Sequence, residues 1–389
     1  MKIGLMGCEF ESANKGCEAL SYSIIYVLKK CLEDSKQILT IYNFSGTELG
    51  RIPTEFNNIK FINVKPRLKD ITFNYLRKIN ECDLILDATM GDSFSDIYSE
   101  KYYKRLIRDK KIAQFFCKNY ILLPQTYGPF QNKKSENMAK KVCLNAKKIY
   151  CRDEMSKKML EQSFKIKNAE LVTDMAFLLP YYKERFLIES SKIKIGLNVS
   201  GLLYKGGFNR ENQFDLKMNY KEFINNLIEI INKNNKYEIH LIPHVIDLAE
   251  NAYDDDYKIC KSLKERYPEC ILAPDFNNPI DAKSYISNMD IFIGSRMHST
   301  IAAFSSNVIT IPVSYSRKFE GLFNSLEYEY VINGKSNTTN EAIDKIFEFI
   351  DKKNELMKAQ KDAQQIINSK RDRFIMSLND EIQKIFKGE

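Results

Sequence analysis

The sequence predicts an α/β protein made of two tandem units, each organised around a parallel sheet. Short β-branched runs alternate with helix-period segments along most of the 389 residues. That length suits two domains of about 150–200 residues better than one. The opening pattern, a strand that runs into a glycine-bearing loop from Lys2 to Gly7, recurs from Lys194 to Gly201 after a polar stretch at 181–191.

In the first half, strands are expected at 2–6, 38–42, 84–86, 120–123, 149–151 and 171–172, with helices between them, notably at 18–30 and 134–146. The second half continues with strands near 194–199 and at 238–242, 271–272, 291–293 and 308–313. From 340 to 386 apolar residues such as Ile343, Ile346, Ile350, Phe374, Leu378 and Ile382 recur at helical spacing, which predicts a helical tail packed on the domains. The expected divisions are 1–185, 190–340 and 341–389, with a cleft between the two units.

At 44% hydrophobic and 28% charged, the chain can build packed cores, which excludes a mainly disordered protein. Its 59 basic and 51 acidic residues leave a net charge of +8, read as spread along the chain and too mild for a nucleic-acid binder. Such an excess is compatible with acidic small substrates or an anionic membrane surface. The nine cysteines include no Cys-x-x-Cys pair, so zinc ribbons, thioredoxin-like sites and iron–sulfur runs lack support, and reduced thiols are expected. The apolar run after Met1 is too short for a signal peptide, and no stretch approaches about 20 apolar residues. The expected location is the cytoplasm, with room for peripheral contact at the inner face of a membrane.

Ligands of open parallel sheets bind beyond the carboxyl ends of the strands. The unusual polar residues fall there repeatedly: Asp87 and Gly91-Asp92-Ser93 after one strand, Pro124-Gln125-Thr126 after the next, then Arg152-Asp153-Glu154, Pro243-His244, Gly294-Ser295-Arg296-Met297-His298, and Tyr315 with Arg317 and Lys318. Of three histidines, His244 and His298 stand at strand ends. The Arg296–His298 segment, a glycine turn before a helix N-terminus, suits an anion, because backbone N–H groups and the helix dipole add to the guanidinium. His298 can move a proton near neutral pH without a large pKa shift.

Several enzyme classes lack their signatures here. No Gly-x-Gly-x-x-Gly follows a strand, and there is no Walker-type loop, His-Glu-x-x-His or Gly-x-Ser-x-Gly. Asp254-Asp255-Asp256 reads as a solvated acidic face, and Lys101-Tyr102-Tyr103-Lys104-Arg105 as an exposed helix that could also present a carbohydrate or lipid-phosphate surface.

The ordered set of segments resembles the bacterial polysaccharide pyruvyl transferases. The segments are Asn14-Lys15-Gly16-Cys17-Glu18-Ala19-Leu20, Gly91-Asp92-Ser93-Phe94-Ser95-Asp96, Pro124 to Phe130, Arg152-Asp153-Glu154-Met155-Ser156, Asp174-Met175-Ala176-Phe177, Ile242-Pro243-His244, Gly294 to His298, and Tyr315-Ser316-Arg317-Lys318. They span about residues 1–330. Two positions depart from the family: Ala88-Thr89-Met90-Gly91 keeps one glycine where a pair or triplet is usual, and Cys17 stands where many members carry an acidic residue.

The resemblance implies two Rossmann-like domains in a GT-B-like arrangement, with the site in the interdomain cleft. It implies phosphoenolpyruvate as donor and a sugar hydroxyl pair as acceptor, on an envelope or capsular precursor that is lipid-linked, giving a cyclic pyruvate ketal and phosphate. Arg296 and His298 would then serve the donor catalytically, Arg152 and Lys318 would add positive charge, and Asn14, Asp92, Ser93, Gln125 and His244 would bond the acceptor or orient the cations. No metal or further cofactor is expected. The rival readings are a GT-B glycosyltransferase using a nucleotide sugar, and a non-catalytic glycan-binding relative.

Overall fold

Apolar runs buried on both faces are what a parallel sheet covered by helices requires, and Ile3, Leu5, Leu84–Leu86 and Ile121–Leu123 are all buried. The computed structural model describes residues 1–32, 38–45, 56, 58–64, 73–247 and 253–387, and at 317 and 318 the backbone alone. The described residues divide into two compact units. The first comprises Met1–Ser12, Leu20–Leu178 and Asn368–Glu389, and the second Ala13–Ala19 and Leu179–Ile367.

Among the described residues, the first unit holds seven strands: β1 (Lys2–Met6), β2 (Leu39–Asn43), β3 (Ile59–Asn63), β4 (Leu84–Asp87), β5 (Tyr120–Gln125), β6 (Lys148–Cys151) and β7 (Ala169–Leu171). They pair in parallel in the order β3-β2-β1-β4-β5-β6-β7, which reverses at β1/β4. The second unit repeats the scheme with β8 (Ile193–Asn198), β9 (Tyr237–Leu241), β10 (Ile271–Leu272), β11 (Ile291–Gly294), β12 (Ile309–Ser314) and β13 (Ile332–Asn333), ordered β10-β9-β8-β11-β12-β13. Its order reverses at β8/β11. In doubly wound sheets the reversal opens a crevice at the carboxyl ends of the central strands.

The helices are α1 (Lys15–Cys31), α2 (Phe73–Asn80), α3 (Glu100–Phe116), α4 (Lys133–Leu144), α5 (Glu154–Gln162), α6 (Gly201–Tyr204), α7 (Tyr220–Asn232), α8 (Asp256–Arg266), α9 (Pro279–Ile286), α10 (Met297–Ser305), α11 (Arg317–Asn324), α12 (Thr339–Asp351) and α13 (Lys353–Lys387). Most start at the cap their sequence supplies. Ser99, Asn132, Asp153, Asn219, Asp255 and Asn278 each accept a first-turn N–H. The single tail helix expected over 340–386 is broken at Lys352 into α12, which has a capping box at Thr338 and Glu341, and α13. Leu356, Gln360, Ala363 and Ile367 of α13 are buried, and Gln360 bonds Val308 O (2.7 Å) in the second unit. Within the first unit, Phe374 meets Tyr150 edge-on at 4.9 Å, and Ser377 Oγ accepts the Tyr150 hydroxyl (2.9 Å).

No helix is long and apolar enough to cross a membrane among the described residues. None of the nine cysteines, all of which are among the described residues, is in a disulfide. Burial pushes the thiols of Cys31 and Cys270 up to about 11 and that of Cys82 higher still, so these behave as small apolar groups.

The reversal in the first sheet is built tightly. Thr89, Met90 and Gly91 follow β4 with φ of 44°, 49° and 79°, the left-handed region that favours glycine. Two side-chain-bearing residues are therefore strained in this loop. A network holds them: Asp87 Oδ1 accepts from Thr89 N (3.0 Å) and Oγ1 (2.8 Å), and Lys110 Nζ lies 2.6 Å from both Asp87 Oδ2 and Thr89 Oγ1. The Tyr120 hydroxyl also donates to Asp87. Burial alone would raise the Asp87 carboxyl, but Lys110 and these hydrogen bonds hold it below its usual range. Gly7 (φ 60°) lies under the loop, where a Cβ would fall 2.4 Å from Thr89 N, so β1 can end there only on glycine.

Candidate active site

In the second unit, three sequence-distant segments meet at the carboxyl edge of the sheet. The strand end at β9 runs into His244 and Val245, and the chain start at 13–19 docks there. Lys15 N donates to His244 O (2.9 Å), Ile246 N donates to Ala13 O (2.8 Å), and Asn14 bridges to Val245. Asn14 caps α1, its Oδ1 accepting from Gly16 N (2.9 Å). The third segment is the β11–α10 turn, fixed by Asn198 at the end of β8. Asn198 Oδ1 accepts from Arg296 N and Ser299 Oγ (both 2.9 Å), and its Nδ2 donates to Ile242 O (2.9 Å).

His298 stands in the first turn of α10 and packs against the first turn of α1. A Cβ built on Gly16 would fall 2.3 Å from His298 Nδ1 and 2.7 Å from its Cγ, so glycine is what lets the imidazole lie on this helix N-terminus. Gly16→Ala should therefore displace the imidazole. Because a displacement near 1 Å can cost about 10²-fold, turnover should fall by tenfold or more. The melting temperature should fall too, since the new Cβ would also press on the His298 Cβ at 2.7 Å, and steady-state kinetics on the folded variant report the loss. An active Gly16→Ala enzyme would remove His298 from the reaction.

His244 is 3% exposed, and neither ring nitrogen has a hydrogen-bond partner among the described residues. Burial first, and then the charges of His298, Arg296 and Lys15, hold its pKa well below 6.5. The folded chain thus keeps His244 neutral while the unfolded chain would protonate it near pH 6.5. Its contribution is full above that pH and is lost progressively as the pH falls below it. Melts from about pH 7.5 to about pH 5.5 should show the decline, and His244→Gln should flatten it. A decline of the same depth in His244→Gln would assign it to other groups.

Arg296 is 9% exposed and is not a free cation. Asp254 takes Nη1 (3.1 Å) and Nη2, while Asp256 takes Nη2 (2.7 Å) and Nε (3.3 Å). Burial opposes the guanidinium charge, yet Asp256 and Asp254 raise its pKa above the ordinary value. This corrects the reading of Asp254-Asp255-Asp256 as a solvated face: Asp255 and Asp256 are buried. Asp255 caps α8, and Asp256 also accepts from Gly201 N (2.7 Å), His244 N (3.1 Å) and Val245 N (3.0 Å). A cluster of acids was legible, but its burial was not, because nothing in the local pattern showed an arginine 40 residues away.

The first unit carries a second constellation. Arg152, after β6, is buried, with Nη1 on Asp174 Oδ2 (2.7 Å) and Nε on Thr126 Oγ1 (3.1 Å), while Nη2 has no partner among the described residues. Burial disfavours its charge, but Asp174, Asp92 and Asp153 keep its pKa raised. A Cβ on Gly91 would fall 2.9 Å from Arg152 Nη1, so the one retained glycine is where the guanidinium passes the backbone. Asp92 and Ser93 sit half-buried on the same loop. Gln125 is fully buried; its Nε2 donates to Asp87 O (3.0 Å) and Leu123 O (3.1 Å), which ties it to the end of β4, while its Oε1 has no partner among the described residues.

Lys318 is the second residue of α11, and its side chain lies outside the described residues. His240, the third histidine, is structural, bonded to Tyr285 (2.8 Å) and Glu238 (3.1 Å). Sequence reasoning missed Asn198, Asp254, Asp256 and Lys110 as site-building residues. Among the described residues no group of three or more His, Cys, Asp or Glu is placed to hold a metal ion.

Solved structures share this fold across the whole chain at low identity. The UDP-GlcNAc 2-epimerase of Neisseria meningitidis, bound to UDP-GlcNAc, is similar with a TM-score of 0.60 at 12% identity, covering 99% of this chain and 100% of that one. HepE of Anabaena, in complex with UDP-glucose, gives 0.59 at 11%, with 100% of both chains covered. Sucrose-phosphate synthase of Thermosynechococcus elongatus gives 0.56 at 10%, again covering 100% of both. These likenesses establish the two-domain α/β fold of GT-B glycosyltransferases. A search of the curated proteins finds no match. The sequence profile described as polysaccharide pyruvyl transferase matches residues 14–317, from the Asn14 cap through the Arg296–His298 turn to the start of α11. The chain therefore belongs to the polysaccharide pyruvyl transferase family.

Proposed function

We propose that this transferase moves the enolpyruvyl carbons of phosphoenolpyruvate onto two hydroxyls of a sugar in an envelope or capsular precursor, carried on a lipid. The observation that carries the reading is the placement of His298 on Gly16, between the N-termini of α1 and α10 and beside Arg296. Two helix N-termini and a guanidinium suit a donor that bears a phosphate and a carboxylate. In the reaction the methylene carbon takes a proton, the two hydroxyl oxygens bond to the neighbouring carbon, and its bond to the phosphate oxygen breaks. One hydroxyl proton balances the new methyl group and the other leaves with phosphate. His298 transfers a proton, at the methylene carbon or at an attacking hydroxyl.

Arg296 enters this scheme through its aspartates. Asp256 is fully buried and anchors the guanidinium, whereas the Asp254 side chain is 28% exposed and occupies the Nη edge that a phosphate or carboxylate would take. Donor binding then exchanges Asp254 for a donor oxygen. Asp254→Asn should tighten phosphoenolpyruvate binding by about five- to tenfold, or about 1–1.4 kcal/mol, as read by calorimetry. Weaker binding would mean that Asp254 holds Arg296 in place rather than competing for it. Protection of the chain from thermal unfolding by phosphoenolpyruvate, and not by UDP-sugars, tests the donor; protection by a UDP-sugar alone would favour the glycosyltransferase reading.

A further inference from the structure

The positive charge expected to be spread along the chain is concentrated. Residues 100–148 contain thirteen basic and three acidic residues, a net +10, which exceeds the +8 of the whole protein and leaves the remainder close to neutral. These residues span α3, β5 and α4, and α3 and α4 pack side by side in the first unit. One of the thirteen, Lys110, is buried on Asp87; Lys104, Arg108 and Lys133 pair with Glu100, Asp109 and Glu136. Lys111, Lys118, Lys140 and Lys141 have no carboxylate partner among the described residues.

The same face exposes apolar side chains. Phe115 is 81% exposed and Leu144 57%, and the two line a groove of ≈ 440 Å³ with Lys111 and Lys141 on its walls. Phe116 and Ile112 continue the apolar strip into an adjoining groove with Arg108 and Met138. Large exposed aromatics rimmed by unpaired lysines are a poor surface for water alone. They match a bilayer with anionic headgroups, where the lysines meet phosphates and the rings enter the interface.

We propose that the groove between the C-terminal ends of α3 and α4 docks this protein onto an anionic phospholipid surface. In a parallel sheet the connecting helices run back from the carboxyl edge, so Phe115 and Leu144 lie toward the opposite edge from Arg152, Asp92 and Ser93. Docking there leaves that constellation uncovered. The surface does not depend on the identity of the donor.

The test is co-sedimentation of the full chain with vesicles of neutral phosphatidylcholine and with vesicles that also contain phosphatidylglycerol, at low and at physiological salt. Binding is expected to the anionic vesicles only and to weaken with salt. Each lysine near the surface contributes about fivefold, so Lys111→Ala/Lys141→Ala should weaken binding by about 25-fold. Phe115→Ala should cost about tenfold by removing the inserted ring. Lys233→Ala/Lys236→Ala, which removes the same charge from the second unit, should bind as the parent does. Equal binding to neutral vesicles, no vesicle binding, or an unaffected Lys111/Lys141 variant would overturn the proposal. So would a Phe115-dependent dimer that ignores vesicles, or capture by heparin or RNA in their place.

Discussion

His298→Asn should lower turnover by about 10²–10⁴-fold, the usual contribution of a positioned general acid or base. Phosphoenolpyruvate affinity should stay within a few-fold of the parent, because α10, Arg296 and the α1 N-terminus remain. The imidazole rests on Gly16 without being the cap of either helix, so the variant should melt as the parent does. The pH profile separates the two roles. A general acid gives activity that falls as the pH rises through its pKa, and a general base gives activity that falls as the pH drops through it. Normal turnover in His298→Asn, with loss in His244→Gln, would transfer the role to the buried imidazole of His244.

Arg296→Ala should cost about 3–5 kcal/mol of stability, the range for removing one partner of a buried ion pair. Asp256 would be left fully buried with its backbone donors but without its countercharge. This is a larger effect on the fold than the sequence suggested, which cast Arg296 as a cation held ready for the donor. Arg296→Lys should recover little, since a single ammonium cannot span Asp254 and Asp256 as the planar guanidinium does. Neutralising both partners in Arg296→Met/Asp256→Asn should restore at least half of the lost stability, because the uncompensated charge is then gone. Chemical denaturation of the three variants decides this. Full stability in Arg296→Ala would mean that the aspartates are solvated, as the sequence implied.

The residue pattern exposed the fold well where strands are apolar on both faces. β1 and β10 fall where expected, and β4, β5, β6, β9, β11 and β12 differ from expectation by a residue or two at their ends. β3 was missed because Ile59–Asn63 is an edge strand with a half-exposed, mixed sequence, and β13 because two residues carry no period. The tail read as one helix since the apolar spacing continues across 351–353, while the break depends on the backbone of Lys352.

At the site, the strand-end rule and the motif order picked out Asn14, Arg152, His244, Arg296 and His298, each of which the structure sets at a carboxyl edge. What could not be read was pairing. Asp256 and Arg296, or Lys110 and Asp87, are brought together only by the sheet order, and the sequence distance between such partners carries no signal. Gly16 and Gly91 stand out in the sequence as motif glycines, but the side chains they make room for, His298 and Arg152, are adjacent only in three dimensions.

The central claim is that this chain forms a pyruvate ketal from phosphoenolpyruvate with His298 moving the proton. The most direct measurement is phosphate release from phosphoenolpyruvate across a panel of lipid-linked oligosaccharides, with the acceptor product analysed by mass spectrometry, for the parent and for His298→Asn. Phosphate release is expected to require an acceptor, with a pyruvyl group gained by that acceptor in equal amount and both lost in His298→Asn. A pyruvylated acceptor formed at the parental rate by His298→Asn, or sugar transfer from a nucleotide sugar with phosphoenolpyruvate inert, would contradict it.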